Sequence, residues 1–360
     1  MTTGFLDVTM DGGFPNSTVK MNCTTVEPTN STQEEEDHVF NIISACAWII
    51  TVLLILLLNI LCLIILSRVK EFHDATKIFL KSMTVGDLVL GLFFYLPMIG
   101  VSFAGRKWPF GGLCFVQAWM IRQGLPAYSL SLLLVTIDRY IAVVYPLKYK
   151  NLLTRRRAKV TVFIVWILTN IYALVSSIKA NWKSSYNPYL FVCTYDEPEN
   201  EFAAFLQTIL SMAIVLIIIL MYIRILIIAR SQAALIASQH PLVTINGELQ
   251  SPPPMNRKSF TTIFIVTMTL FLGWLPSLVM GFMNKSQDIA PQVRVASQIL
   301  LASVSWLNVI IYYVRNRAFR EAGQTFLRRT TRNCCGLWNE DNNNFGQSYE
   351  HSRSSRGAQA

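Results

Sequence analysis

Seven long apolar runs constrain this chain more than any other feature of its sequence. A helix that crosses a bilayer needs about 20 mostly apolar residues. Candidates lie at roughly 42–67, 78–103, 112–144, 159–180, 202–229, 259–283 and 291–314. Neither Ala47–Leu66 nor Phe202–Tyr222 contains a charged residue. A soluble helical bundle would need polar faces at helical period, and these runs largely lack them. Composition agrees: 52% of residues are hydrophobic and 14% are charged, against roughly 25% charged in soluble domains. This balance excludes a disordered, collagen-like or coiled-coil chain. The expected fold is an all-α membrane protein, a bundle of seven transmembrane helices followed by a short amphipathic eighth.

The net charge of +10, from 31 Lys+Arg and 21 Asp+Glu, fits either nucleic-acid binding or the basic bias of cytoplasmic loops. The placement of the charges decides for the loops. Residues 1–40 carry Asp7, Asp11, Glu27, Glu34, Glu35, Glu36 and Asp37 but only one base, Lys20. Basic residues cluster after the first run (Arg68, Lys70, Lys77), after the third (Lys148, Lys150, Arg155, Arg156, Arg157), at the end of the fifth (Arg224, Arg230), at the sixth (Arg257, Lys258) and after the seventh (Arg315, Arg317, Arg320, Arg328, Arg329, Arg332). By the positive-inside rule the N-terminus is expected outside and the C-terminus in the cytoplasm of a multi-pass plasma-membrane protein. The basic surplus then faces membrane lipid and a cytoplasmic partner, with no nucleic acid implied. Sequons at Asn16, Asn22, Asn30 and Asn284 fall on the expected outer side and read as N-glycosylation sites. Residues 1–10 lack the pattern of a cleavable signal, so the first run is expected to act as its own insertion signal.

The expected organisation is an outer tail at 1–40, a seven-helix domain at 41–314, an amphipathic helix at 315–330 and a disordered tail at 331–360. The loop between the fifth and sixth runs, about Ser231–Met255, ends in a proline run that favours extended chain. Cys114 and Cys193 both fall on the outer, oxidising side. Either they form a disulfide tying the loop over the bundle, or they are unrelated thiols. Cys334 and Cys335 follow a basic stretch and suit palmitoylation.

Polar residues inside the spans are costly in lipid and so carry information. Asp87 sits midway along the second span, with Asn59, Ser129, Ser305 and Asn308 at similar depth. They read either as inter-helix hydrogen bonding or as a water or sodium site. Arg139, beside Asp138 and Tyr140, lies 25 residues after Cys114, about 37 Å along a helix, which crosses the hydrocarbon. An Asp–Arg pair there can latch helices together; the alternative is a snorkelling arginine. Pro276 is expected to break the sixth span beside the bulky Trp274.

With these residues the chain resembles the rhodopsin-like (class A) G-protein-coupled receptors over about residues 40–330. The matches run in order: Asn59; Asp87-Leu88; Trp108-Pro-Phe-Gly before Cys114; Asp138-Arg-Tyr-Ile-Ala-Val-Val-Tyr-Pro; Trp166; Tyr222; Trp274-Leu-Pro276; Asn308-Val-Ile-Ile-Tyr312; and Phe319-Arg320. The resemblance implies a receptor that binds an extracellular ligand within the bundle and opens an inner cleft for a heterotrimeric G protein. Arg139, Tyr222 and Tyr312 would line that cleft, and arrestin and a receptor kinase are further implied partners. The chain departs from the family at Val309 and Ile214, where prolines are usual, at Pro126, and at Tyr128, where a small serine commonly completes a sodium site.

The inner motifs look most like the amine, melatonin and adenosine-type branches. Yet Ile121 stands where amine receptors carry an aspartate. No lysine follows Lys285, so retinal is not an expected cofactor; a sodium ion near Asp87 is the one candidate. The expected pocket residues are Ile121, Arg122, Gln123, Trp274 and Arg294. Arg122, about 12 Å along the helix from Cys114, would favour an anionic ligand, unless it snorkels or pairs with Asp196, Glu197 or Glu201. A seven-helix transporter or channel is the alternative, but inverted repeats are not visible. An enzyme is not expected, since the chain shows neither paired membrane carboxylates nor a histidine cluster.

Overall fold

A computed structural model describes residues 30–196, 200–239, 244–245, 248–249, 265, 269, 272–277, 279–280 and 289–331. In chain order the helices are α1 (Asn30–Arg68), α2 (Asp74–Phe103), α3 (Cys114–Val144), α4 (Arg155–Lys179), α5 (Asn200–Gln239), α6 (helical at 272–277 and 279–280), α7 (Pro291–Arg315) and α8 (317–331). Among the described residues, six helices are long and apolar enough to cross a membrane; α6 occupies the remaining span of the seven-helix bundle. Only helices and closed barrels satisfy every backbone group inside lipid, so uninterrupted apolar runs of this length become helices.

The lipid-facing sides are readable from exposure. On α4, Val160, Ile164, Ile167, Ile171, Leu174 and Ile178 are exposed, tracing one apolar stripe at helical spacing. In water such a patch would be a liability; in a bilayer it is the solvated face. The opposite face of α4 is polar enough to hold Trp166 Nε1 on Ser82 Oγ of α2 at 2.9 Å.

α3 runs through the middle of the bundle, packed against α2, α4 and α5. Gly124 permits the α2 approach, since a Cβ there would lie 2.5 Å from Leu90 Cδ2. Gly273 does the same for α6 and α7, where a Cβ would meet Val304 Cγ2 at 2.3 Å. A π turn at Gly91–Tyr95 interrupts α2, with Leu96 N donating to Gly91 O. It adds one residue to that turn and re-aims the remainder of the helix.

The helix ends follow local chemistry. Thr154 caps α4 by accepting from Arg157 N, and Pro291 opens α7 in the first turn, where its missing N–H costs nothing. Asn316 adopts an extended conformation that ends α7. Its Oδ1 then accepts from Phe319 N at 3.1 Å, starting α8. Phe319 is buried against Tyr312, and the Arg68 guanidinium lies 4.3 Å over the Phe326 ring. These contacts hold α8 across the end of α1.

Two boundaries differ from the sequence expectation. α1 begins at Asn30, so residues expected in the outer tail are helical, and Asp37 on that extension pairs with Arg106 at 2.7 Å. α5 runs to Gln239, well into the expected loop, because the Ser231–Gln239 stretch is rich in alanine and other good helix formers. The first proline after α5 is Pro241. A small hairpin, β3 (Thr244–Ile245) with β4 (Glu248–Leu249), also falls within that loop.

Between α4 and α5 lies an antiparallel hairpin, β1 (Ser184–Asn187) and β2 (Val192–Tyr195). Cys193 of β2 is bonded to Cys114 at the start of α3, with a Cα–Cα distance of 5.3 Å across 79 residues of sequence. Of the two readings open in the sequence, the structure has the bridge. Closing a loop of that length is worth on the order of 2–4 kcal/mol. Cys193→Ser is expected to lower the melting temperature of the detergent-solubilised protein by several degrees, whereas Cys46→Ser, at an exposed free thiol, leaves it unchanged.

Candidate functional site

At the disulfide end the helices part around a cavity of about 450 Å³, walled by α1, α2, α3, α5, α6, α7 and the β1–β2 hairpin. The hairpin is held over it by several independent ties. Gln117, fully buried, accepts from Cys193 N through Oε1 at 2.8 Å. Its Nε2 donates to Phe94 O at 3.1 Å, within the π turn of α2. Tyr186 OH donates to Arg106 O at 2.8 Å, and Gln298 Nε2 on α7 donates to Leu190 O. One glutamine thus joins α2, α3 and the hairpin next to the disulfide.

Of the expected pocket residues, Ile121, Arg122 and Arg294 line the cavity; Gln123 and Trp274 do not. On α3 the lining residues are Ala118, Ile121, Arg122 and Leu125, a single face at i, i+3, i+4 and i+7. Gln123, two residues on from Ile121, is turned about 200° away from it and is buried among helices. Trp274 is also buried, about one turn below Ser277, which does line the cavity. The helix is assigned on both sides of Pro276; this proline costs one backbone bond without ending the span.

Arg122 is 5% exposed. Its Nη1 donates to Gln207 Oε1 of α5 at 3.1 Å and to Tyr172 OH of α4 at 3.4 Å. Gln207 in turn donates to Ile121 O at 3.1 Å and accepts from Tyr172 OH at 3.2 Å. Gln207 and Tyr172 were not among the expected site residues; a lone glutamine in an uncharged span was the available signal. Asp196, one suggested partner of Arg122, instead accepts from Ser185 Oγ. Tyr195, on the cavity wall, is pushed up to about 12, chiefly by burial, and so presents a neutral phenol.

Midway through the bundle lie Asn59, Asp87, Ser305 and Asn308, all buried. Asn59 Nδ2 donates to Ile55 O at 2.9 Å and to Ser305 O at 3.4 Å. Asn308 Nδ2 donates to Tyr128 OH at 2.8 Å. Ser305 lies against the Asp87 carboxylate, yet neither carboxylate oxygen, nor Asn59 Oδ1, nor Asn308 Oδ1, meets hydrogen-bond geometry among the described residues. Several orphaned acceptors at one depth fit water or a small cation. Ser129 bonds back to Leu125 O at 3.0 Å, and the neighbouring Tyr128 supplies the hydroxyl to Asn308. Beside this layer, a void of about 10 Å³ lined by Asn59, Thr84 and Asn308 has the size of one water.

At the other end of α3, Asp138 is fully buried while Arg139 is 28% exposed; they pair at 3.2 Å. Asp138 also accepts from Thr76 Oγ1 and from Tyr149 OH, each at 2.8 Å. Thr76 and Tyr149 were missed because they are ordinary residues brought in from α2 and from a helical turn at Tyr149–Leu152. Tyr140 is half-buried. Tyr222 is buried, with its hydroxyl 3.3 Å from Thr136 Oγ1, and Tyr312 is buried beside Phe319. Tyr222 and Tyr312 thus belong to the core among the described residues. Cys334, Cys335, Asn16, Asn22 and Asn284 lie outside the described residues, as does the side chain of Asn30.

The family model for the 7 transmembrane receptor (rhodopsin family) matches residues 58–312. The melatonin receptor type 1A of Phodopus sungorus is 24% identical over 284 residues, covering 76% of each chain. The neuropeptide FF receptor 2 of Mus musculus is 26% identical over 301 residues, 75% of this chain and 70% of that one. The probable G-protein coupled receptor 21 of Mus musculus is 26% identical over 256 residues, 69% of this chain and 72% of its own.

Tyr149 makes the Arg139 end sensitive to alkali. Burial first, and the Asp138 charge second, push its phenol up from 10.0 to about 12. Its stabilising hydrogen bond is therefore fully present below pH 10 and is lost as pH rises toward 12. Relative to Tyr149→Phe, the parent chain is expected to be more stable by about 1.5–3 kcal/mol at neutral pH. That advantage should shrink between pH 10 and 12 in melting curves recorded on both proteins.

Proposed function

Given that this chain belongs to the rhodopsin family of seven-transmembrane receptors, we propose that its ligand enters the cavity at the disulfide end and that a heterotrimeric G protein docks at the Arg139 end. The observation that carries this is the pairing, on one helix, of a walled cavity at Arg122 and a charged latch at Asp138–Arg139. The N-terminus then lies outside and the C-terminus in the cytoplasm of the plasma membrane, as the basic loop residues suggest. Ligand binding biases a bundle with two arrangements, and affinity for the G protein is coupled to that bias. Thr76 and Tyr149 hold Asp138 in place, and Asp138 holds Arg139 until the helices move.

Asp87, Asn59, Ser305 and Asn308 would hold a sodium ion or water, whose charge or hydrogen bonds would satisfy the orphaned oxygens. N-glycans at Asn16, Asn22, Asn30 and Asn284, palmitates at Cys334 and Cys335, and arrestin and a receptor kinase as partners complete the reading. The transporter or channel alternative has no counterpart among the relatives named above.

The test is guanine-nucleotide exchange in membranes carrying the full chain, with each G-protein class supplied in turn. Arg139→Ala is expected to lower basal or ligand-driven exchange at least tenfold while surface expression persists. Absence of exchange by the parent chain with every class would overturn the reading.

A further inference from the structure

α3 carries a backbone weak point in the cavity wall. Pro126 sits inside the helix and cannot donate to the carbonyl of Arg122, one turn before it. Gly124, two residues earlier, is another poor helix former. Ser129 Oγ bonds back to Leu125 O at 3.0 Å, an arrangement that itself favours bending. Proline, glycine and serine are the common causes of a kink, and here they meet within six residues. By contrast, α5 has no proline, and α7 has only Pro291 in its first turn. A side chain from another helix spans the α3 break. Gln207 of α5 donates through Nε2 to Ile121 O at 3.1 Å and accepts from Arg122 Nη1 through Oε1, also at 3.1 Å. The two bonds fall on consecutive residues, in the turn that Pro126 leaves incomplete. Tyr172 OH of α4 donates to the same Oε1 at 3.2 Å, which engages both lone pairs of that oxygen. Support from a neighbouring helix is what lets a membrane helix tolerate such a break.

We propose that α3 hinges at Pro126 and that Gln207 is the positioning residue that pins this hinge to α5. This rests on the reading of the Arg139 end as the G-protein site. Below the hinge the same helix carries Tyr128, whose hydroxyl accepts from Asn308 Nδ2 of α7, and Asp138, which pairs with Arg139. Pro126 to Asp138 is 12 residues, about 18 Å along the helix, so a bend of about 10° at the proline moves that end by about 3 Å. A shift of that size is enough to break the 2.8 Å bonds from Thr76 and Tyr149 to Asp138. Pinned, α3 keeps the latch closed; released, it lets the latch part. Gln207 and Leu125 both line the cavity, so the pin stands within reach of whatever occupies it.

The test uses the full chain and needs no ligand. Gln207→Leu removes both bonds to α3, whereas Gln207→Glu keeps an acceptor for Arg122 and Tyr172 but lacks the amide donor to Ile121 O. In detergent, hydrogen exchange of the backbone amides over 121–129 is expected to quicken at least threefold in both variants, with α1 unchanged. Pro126→Ala restores the missing helical bond and makes the pin redundant. In that background Gln207→Leu should lose at least half of its effect on the melting temperature, a coupling that independent sites do not show. In membranes, Gln207→Leu is expected to raise basal nucleotide exchange at least threefold, and by less than half as much beside Pro126→Ala. Surface expression checks folding, and Gln207→Glu serves if the leucine variant misfolds. Unaltered hydrogen exchange over 121–129, equal quickening throughout the bundle, or an effect of Gln207→Leu that is the same with and without Pro126 would overturn the inference. So would unchanged basal nucleotide exchange in Gln207→Leu when the parent chain is active. Local quickening and coupling in a chain that drives no G protein count against the receptor reading alone; an active parent chain without them counts against the hinge alone.

Discussion

Every polar group that these helices carry into the hydrocarbon must find its partner inside the protein, because lipid offers none. The arrangement of the bundle follows from that constraint at each depth. Near the disulfide, Gln117 serves both the α2 backbone and the β2 strand. One level deeper, Arg122, Gln207 and Tyr172 close a triangle across α3, α5 and α4. Trp166 reaches Ser82, Asn308 takes the Tyr128 hydroxyl, and Asp138 gathers Thr76 and Tyr149. Apolar packing between such helices is not favoured over packing against lipid tails, so close approach at glycines and polar pairs sets the register.

The places where the constraint is incompletely met are the informative ones. The layer at Asp87, Asn59 and Asn308 gathers several orphaned acceptor oxygens, both of the Asp87 carboxylate among them, at one depth. A half-satisfied polar layer is costly in low dielectric, and its cost depends on how the surrounding helices stand. It lies between the cavity and the Asp138–Arg139 pair, and α3 passes all three. From Arg122 to Asp138 is 16 residues, about 24 Å of one continuous helix.

The departures from the family pattern fall within this same framework. α5 and α7 carry Ile214 and Val309 where the family usually bends at proline, while α3 holds Pro126 within its helix. That proline cannot donate to the carbonyl of Arg122, four residues before it. The lost backbone bond lies next to the cavity, at Arg122. Tyr128, in place of a small residue, brings its own hydroxyl to Asn308.

Much of this was legible in the sequence. Run length and charge asymmetry specified the spans, because lipid thickness and backbone satisfaction leave a long apolar run few other structures. The spacing of Asp138, Arg139 and the cysteines placed the two ends, because helical rise converts residue number into depth. What sequence spacing does not contain is rotation about each axis and the identity of the helix across the gap. Those decided that Ile121 and Arg122 face the cavity while Gln123 does not, and that Trp274 lies beneath it. They also brought Gln207, Tyr172, Thr76 and Tyr149 into the site, residues without any motif of their own. The sequence by itself determined which segments enter the membrane and how deep each polar residue sits; only tertiary packing decided which of them meet, since partners more than 60 residues apart come together only when whole helices dock.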